Sequence, residues 1–242
     1  MLSVQRVSGR MSKPIVVYWA NNTDEWLRAK EPFSLYKNLL AKDSFKNVNI
    51  SKCPAFRDYM KNIYGIRSIY SYDFYIDENS VKSNTYDQKF FDDKIIIRSV
   101  EDKSFSLNPR LLFITEEKSL KMSTGIQPSF ENNEINKRCS TVPGTVDIGK
   151  WFRELDFAFY LKEEYNDFTI KEEDIYQYVK FDTDKKIIFK QFIPNAFLQK
   201  HIDAVLNAKK YRSQNFIALD EYYSMFKNKK NIIKEIKNNL VS

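Results

Sequence analysis

The sequence predicts a mainly β protein, an antiparallel β-sandwich or jelly roll with a C-terminal helical appendage. Aromatic residues make up 15% of the 242-residue chain, with 19 Phe and 15 Tyr, and flat rings pack well on the pleated surface of strands. Short apolar runs alternate at period two through the middle of the chain, as half-buried strands do. After Pro194 the apolar spacing lengthens to three and four residues, the helical period. The expected parts are a poorly ordered extension (1–13), a β domain (14–194) and a basic helical segment (195–242). Met1 and Met11 are both candidate starts, because residues 1–10 add nothing recognisable to a core.

PIVVYWA (14–20) is β-branched and aromatic, a strand with Pro14 ahead of it. EPFSLYKNLLAK (31–42) reads as a helix, with Pro32 in the first turn and Phe33, Tyr36 and Leu40 at helical spacing. CPAF (53–56) interrupts regular structure before the aromatic stretch 63–77, read as one or two strands. KIIIRSV (94–100) and RLLFI (110–114) have strand length. In ELDFAFYL, Leu155, Phe157, Phe159 and Leu161 occupy one face. IYQYVKFD and KIIFKQF, joined by the turn residues 183–185, predict a hairpin over 175–192. Beyond Pro194, NAFLQKHIDAVLNAKK and NIIKEIKNNLV supply two or three helices.

One histidine, His201, excludes a two-histidine, one-carboxylate iron site and a typical mononuclear zinc hydrolase. No metal and no cofactor are expected, and His201, in an amphipathic lysine-flanked stretch, reads as structural. Five glycines argue against a fold built on several nucleotide-binding glycine turns. Cys53 and Cys139 have no CxxC spacing and read as inert thiols of a reducing compartment. No apolar run approaches the length of about 18–20 residues that spans a bilayer, and no secretory signal is visible, so no membrane partner is expected.

Gly144, TVDI, Gly149 and Lys150 nearly spell a phosphate-binding loop. The motif needs Ser or Thr next and a following helix, whereas Trp151 and a strand pattern follow, so the match reads as accidental. Glu116–Glu117, Glu163–Glu164 and Glu172–Glu173–Asp174 are acid clusters at expected turns. A carboxylate pair in a cleft would permit glycoside hydrolysis without histidine. Trp19, Trp26 and Trp151 are candidates for a stacking platform, and otherwise core residues. Lys150, Trp151 and Arg153 form the basic-aromatic cluster chosen as the candidate ligand site. Residues 199–242 hold nine basic and four acidic residues of a chain whose net charge is +7. Within that segment Lys209, Lys210, Arg212, Lys229 and Lys230 are the candidate contacts to nucleic acid or to an acidic partner.

VVYWA (16–20), Trp26, EPFSLYKNL (31–39), CPAF (53–56), VPGTVDIGKWFR (142–153) and EDIYQYVKFDTD (173–184) together resemble an uncharacterised protein family of tailed phages of marine bacteria, with distant bacterial relatives. The VPG…DIGKWFR block is its most specific part, although the family often has Pro where Glu154 stands here. The resemblance implies a phage-related, β-rich protein and brings no established activity or catalytic residue. The expected function is a non-catalytic binding or assembly module in the host cytoplasm or the virion, partnered by itself or another phage component. A carbohydrate-active jelly roll with paired carboxylates and a nucleic-acid binder using the basic C-terminal helices are the alternatives.

Overall fold

The computed structural model describes residues 13–42, 45, 49–77, 80–83, 86–128, 133–212 and 228–241, with the backbone alone for 208–212. The expected N-terminal extension, apart from Lys13, lies outside the described residues, as do the side chains of Lys209, Lys210 and Arg212.

The chain opens with β1 (Ile15–Asn21), and a short β2 (Phe33–Ser34) runs straight into α1 (Leu35–Ala41). The Ser34 hydroxyl accepts from the Lys37 amide and so satisfies a donor that the helix cannot. Next come α2 (Pro54–Met60), β3 (Ile63–Arg67), β4 (Tyr72–Ile76) and β5 (Val81–Ser83). CPAF does not break regular structure: Pro54 opens α2, where the missing N–H would have had no helical partner. The segment α3 (Gln88–Lys94) is capped by Asp87 and leads into β6 (Ile95–Ser99), the twelve-residue β7 (Ser104–Thr115) and β8 (Lys121–Thr124). Then follow α4 (Glu134–Arg138), capped by Asn133, β9 (Cys139–Thr141), β10 (Gly144–Asp147), β11 (Leu155–Leu161), β12 (Asp167–Ile170), β13 (Ile175–Phe181) and β14 (Ile187–Gln191). Two longer helices, α5 (Ala196–Arg212) and α6 (Lys229–Asn238), complete the described chain.

The architecture is mixed α/β, with three separate sheets and C-terminal helices. The first sheet has the order β14-β1-β7-β11-β9, and β6 also pairs with β7. The length of β7 allows this: β6 takes Ser104–Leu107 and β1 takes Leu111–Thr115. The second sheet runs β10-β8-β13-β3-β2 and the third β12-β4-β5. Pairing is antiparallel except between β1 and β14, which run parallel.

The expected hairpin over 175–192 does not form. β13 lies between β3 and β8 in the second sheet, whereas β14 pairs with β1 in the first. The turn between them is held from outside, by the Asn62 side-chain amide donating to the carbonyls of Thr183 and, at 3.1 Å, Lys185. Period-two alternation gave the strands correctly but carried no information on which strand each would pair with.

Packing explains the apolar run of β1. Ile15, Val17 and Trp19 face a core shared with the second and third sheets, alongside Phe105, Phe113, Phe74, Phe168 and Phe181. Tyr18 and Ala20, on the other face, pack with Leu112 and Ile114 of β7 against Leu198 and Ile202 of α5 and Ile232, Ile233 and Ile236 of α6. A strand covered on both faces is apolar throughout. A third cluster seats α1 and α2 on the second sheet, through Leu35, Leu39, Met60, Ile63 and Tyr178. The C-terminal end is clipped in place: Phe192 and Leu240 form an antiparallel bridge, and Val241 donates to the Gln191 carbonyl at 2.9 Å.

Candidate anion-binding groove

A concavity of about 1160 Å³ lies between α6, β10 and the loop joining β7 to β8. Its lining includes seven lysines (Lys118, Lys121, Lys150, Lys229, Lys230, Lys234, Lys237) and two carboxylates, Glu116 and Asp147. Trp151, Ile233, Thr145 and Gly149 complete it.

Each wall follows from local sequence. In α6, Ile232, Ile233 and Ile236 are buried, which leaves Lys230, Lys234 and Lys237 at i, i+4 and i+7 along the groove side. The opposite wall depends on Asp147. Its carboxylate accepts from the Ser119 hydroxyl at 2.6 Å and from the Leu120 and Gly149 amides at 3.0 Å each. Its carbonyl accepts from the Lys150 and Trp151 amides at 3.0 and 2.9 Å. One residue thereby ties the 116–120 loop to the turn that carries Lys150 and Trp151. Gly149 permits the approach, because a Cβ there would lie 2.7 Å from the Ser119 Cα.

The near-match to a phosphate loop dissolves here. Gly144–Asp147 is strand, residues 148–150 form a turn, and no helix follows.

Several charges are already engaged. Lys237 donates to Glu116 at 2.9 Å, and the Tyr18 hydroxyl donates to the other Glu116 oxygen at 2.8 Å. The Lys237 bond holds the Glu116 carboxyl below its ordinary range despite the opposing effect of burial, and Tyr18 adds to it. Burial would raise the Asp147 carboxyl, but its three hydrogen bonds and nearby Lys150 outweigh that and lower it. Lys229 donates to the carbonyls of Glu117 and Gly149, and burial pushes its ammonium below the usual lysine value. Lys118, Lys121, Lys230 and Lys234 are exposed and form no ion pair with the described residues, while Lys150 stands 3.6 Å from Asp147 with its side chain 60% exposed. The groove is strongly cationic.

Parts of two candidate sites that the sequence kept apart line one groove. Lys150 and Trp151 of the basic-aromatic cluster share the groove with Lys229 and Lys230 of the tail. Arg153, the third member of that cluster, does not line it. Its guanidinium lies 5.6 Å from the Trp151 ring centroid and 3.3 Å from the Asp156 carboxylate, so it supports Trp151 from within. Trp19 is buried in the core and Trp26 sits in a short 3-10 turn, so only Trp151 of the three reaches the groove. Comparison with family models, curated proteins and solved structures returns no match. The groove must therefore be understood from its own chemistry.

Lys234 and Lys237 could have been found by stepping along α6 from Lys230. Lys118, Lys121, Glu116 and Asp147 could not, since only the tertiary fold brings them opposite that helix.

The other candidates lie elsewhere. Glu172 pairs with Arg28 and Glu173 with Lys30 at the surface, while Glu163 and Glu164 are exposed in a turn. Burial raises the Glu154 carboxyl, opposed by a 2.6 Å hydrogen bond from Asn22, and Glu154 is outside the groove. His201 lies on α5 with Nδ1 2.9 Å from the Phe197 carbonyl oxygen. Both cysteines are free thiols, Cys53 exposed and Cys139 buried, and burial pushes the Cys139 thiol up to about 12. Among the described residues no group of three or more His, Cys, Asp or Glu could hold a metal ion, and no helix is long and apolar enough to cross a membrane.

Proposed function

We propose that the protein is a non-catalytic binding module that captures a polyanionic ligand in the lysine-lined groove. The observation that carries this is the convergence of seven lysines from three parts of the chain on one concavity with only two carboxylates, both already bonded. Like charges gathered at one place repel one another, and an anionic ligand relieves that repulsion as it releases its own counterions. The VPG…DIGKWFR block, which carries the phage resemblance, supplies Thr145, Asp147, Gly149, Lys150 and Trp151 of the lining. A ligand-binding role for the groove therefore suits a phage-related binding or assembly protein, and a β-sandwich core would serve as its rigid support.

The paired-carboxylate enzyme fares less well. Glycoside hydrolysis needs one carboxyl kept protonated as general acid. Glu116 and Asp147, the two acids of the groove, are both held below their ordinary range and so ionised at neutral pH.

The test is titration of the full chain with a labelled heparin fragment at increasing salt. Affinity should fall steeply with salt, and Lys230→Glu with Lys234→Glu should flatten the slope by about one unit per lysine. Absence of binding by heparin and by oligonucleotides alike at about 50 mM salt, where electrostatic association is strong, would refute the proposal.

A further inference from the structure

We infer that the ligand of this groove is single-stranded nucleic acid, its phosphates on the lysines and its bases against Trp151. This rests on the polyanion proposal and narrows it to one chemical class.

Three features point that way. First, lysines reach the groove from both α6 and the β7–β8 and β10–β11 segments. Lys230, Lys234 and Lys237 follow one side of α6, where residues four apart hold their Cβ atoms about 5–6 Å from each other. Lys118, Lys121 and Lys150 stand on the other wall. The exposed Lys118, Lys121, Lys150, Lys230 and Lys234 can engage successive phosphates of one strand.

Second, the groove also carries apolar lining. Ile233, 7% exposed, and Trp151 both line the groove, and the lysine stems add methylenes, so most of the accessible wall is hydrocarbon. A duplex presents phosphates outward and keeps its base faces stacked inside. A sulfated sugar or an acidic peptide has charge without flat apolar rings. An unpaired strand offers both along its whole length.

Third, Trp151 is held in place. Its amide is fixed to the Asp147 carbonyl at 2.9 Å, and the Arg153 guanidinium lies 5.6 Å from the ring centroid, anchored in turn to Asp156. A ring fixed before the ligand arrives loses little conformational freedom on binding. Base–aromatic stacking tolerates any sequence, so the groove would read strand character more than base identity.

The experiment compares a twelve-residue oligothymidylate, a duplex of equal length, a heparin fragment and oligoglutamate on the full chain, by affinity and by tryptophan fluorescence. Oligothymidylate should bind about tenfold more tightly than the duplex and quench the fluorescence. Trp151→Ala should weaken oligothymidylate about tenfold and change heparin binding less than twofold. Trp151→Phe, which keeps a ring and guards against a folding defect in the alanine variant, should retain most of the affinity and lose the quench. Equal affinity for strand, duplex and heparin, with Trp151→Ala silent, would overturn the inference and leave the polyanion proposal standing. Oligoglutamate binding as tightly as oligothymidylate would overturn it in favour of an acidic protein partner. Failure of all four polyanions to bind would remove both.

Discussion

The Lys229 ammonium donates to the Gly149 carbonyl at 2.6 Å, fastening helix α6 to the turn that presents Trp151. The same nitrogen donates to the Glu117 carbonyl in the loop before β8. Lys229 is therefore a strut between the groove's two walls, whereas Lys230, its neighbour in sequence, faces the ligand space.

That division of labour gives the first prediction. Lys229→Gln should cost about 1 kcal/mol of stability, because two charge-assisted hydrogen bonds are weakened at a half-exposed site where water offsets part of the loss. Its effect on anion affinity should be smaller than that of Lys230→Gln, which should leave stability unchanged. Denaturant midpoints read the first quantity, and the salt-dependent titration reads the second. A larger affinity loss for Lys229→Gln than for Lys230→Gln would reverse the assignment.

Acid pH should loosen the groove through Glu116. Its folded-state value is depressed below the ordinary 4.5, chiefly by the Lys237 bond. A depressed carboxylate stabilises the fold fully above the unfolded value, and that contribution disappears as pH falls through the folded value. Glu116→Gln should therefore be less stable than the parent at pH 7. The gap should narrow below about pH 4.5 and close once Glu116 is protonated in the folded parent. Anion affinity should move the opposite way, rising as the carboxylates are neutralised. Denaturation at pH 7, 5, 4 and 3 checks the stability claim, and a gap constant across that range contradicts it.

Much of this fold was legible in the sequence. Leu155, Phe157, Phe159 and Leu161 alternate as written, and β1, β3, β4, β6, β7, β13 and β14 fall on the runs read as strands. Periodicity reports which face of an element is buried, and nothing about its neighbour. The separation of β13 from β14 and the parallel pairing of β1 with β14 were therefore beyond reach. The short helices α2, α3 and α4 were missed because each buries only one apolar residue of its own and so shows no repeat, whereas α1, no longer than α2, buries Leu35 and Leu39. The groove was half visible: Lys150, Trp151, Lys229 and Lys230 were singled out by local chemistry, but their proximity is made by packing of Ile232 and Ile236 on Leu112 and Ile114.

Close approach of two backbones at Gly149 yields a further prediction. Gly149→Ala places a methyl 2.7 Å from the Ser119 Cα and 2.8 Å from the Glu117 carbonyl oxygen, atoms of main chain that cannot swing aside. Overpacking of this kind typically costs about 1–3 kcal/mol. Gly144→Ala, where the new methyl meets only the Thr124 hydroxyl at 3.3 Å, should change stability by less than about 0.5 kcal/mol. Chemical denaturation of the pair isolates the contact from any general penalty of replacing glycine. Equal effects at the two positions would show that the approach at Ser119 is not tight.

The last prediction concerns whether α6 can be detached. Ile232 and Ile236 are fully buried against the face of the first sheet formed by Tyr18, Ala20, Leu112 and Ile114. Removing everything after Pro194 would expose that face, a contiguous apolar surface of the kind soluble proteins keep covered. The truncated chain should aggregate, so truncation cannot test the helix as a ligand contact. Ile236→Ala is the gentler probe and should cost about 2–4 kcal/mol through lost burial and the cavity left behind. Lys234→Glu on the same helix should leave stability within about 0.5 kcal/mol, since its side chain is exposed and without an ion pair to the described residues. A soluble, cooperatively folded product ending at Pro194, with Ile236→Ala near neutral, would mean that α6 is an accessory rather than a wall of the protein. The groove would then need another origin.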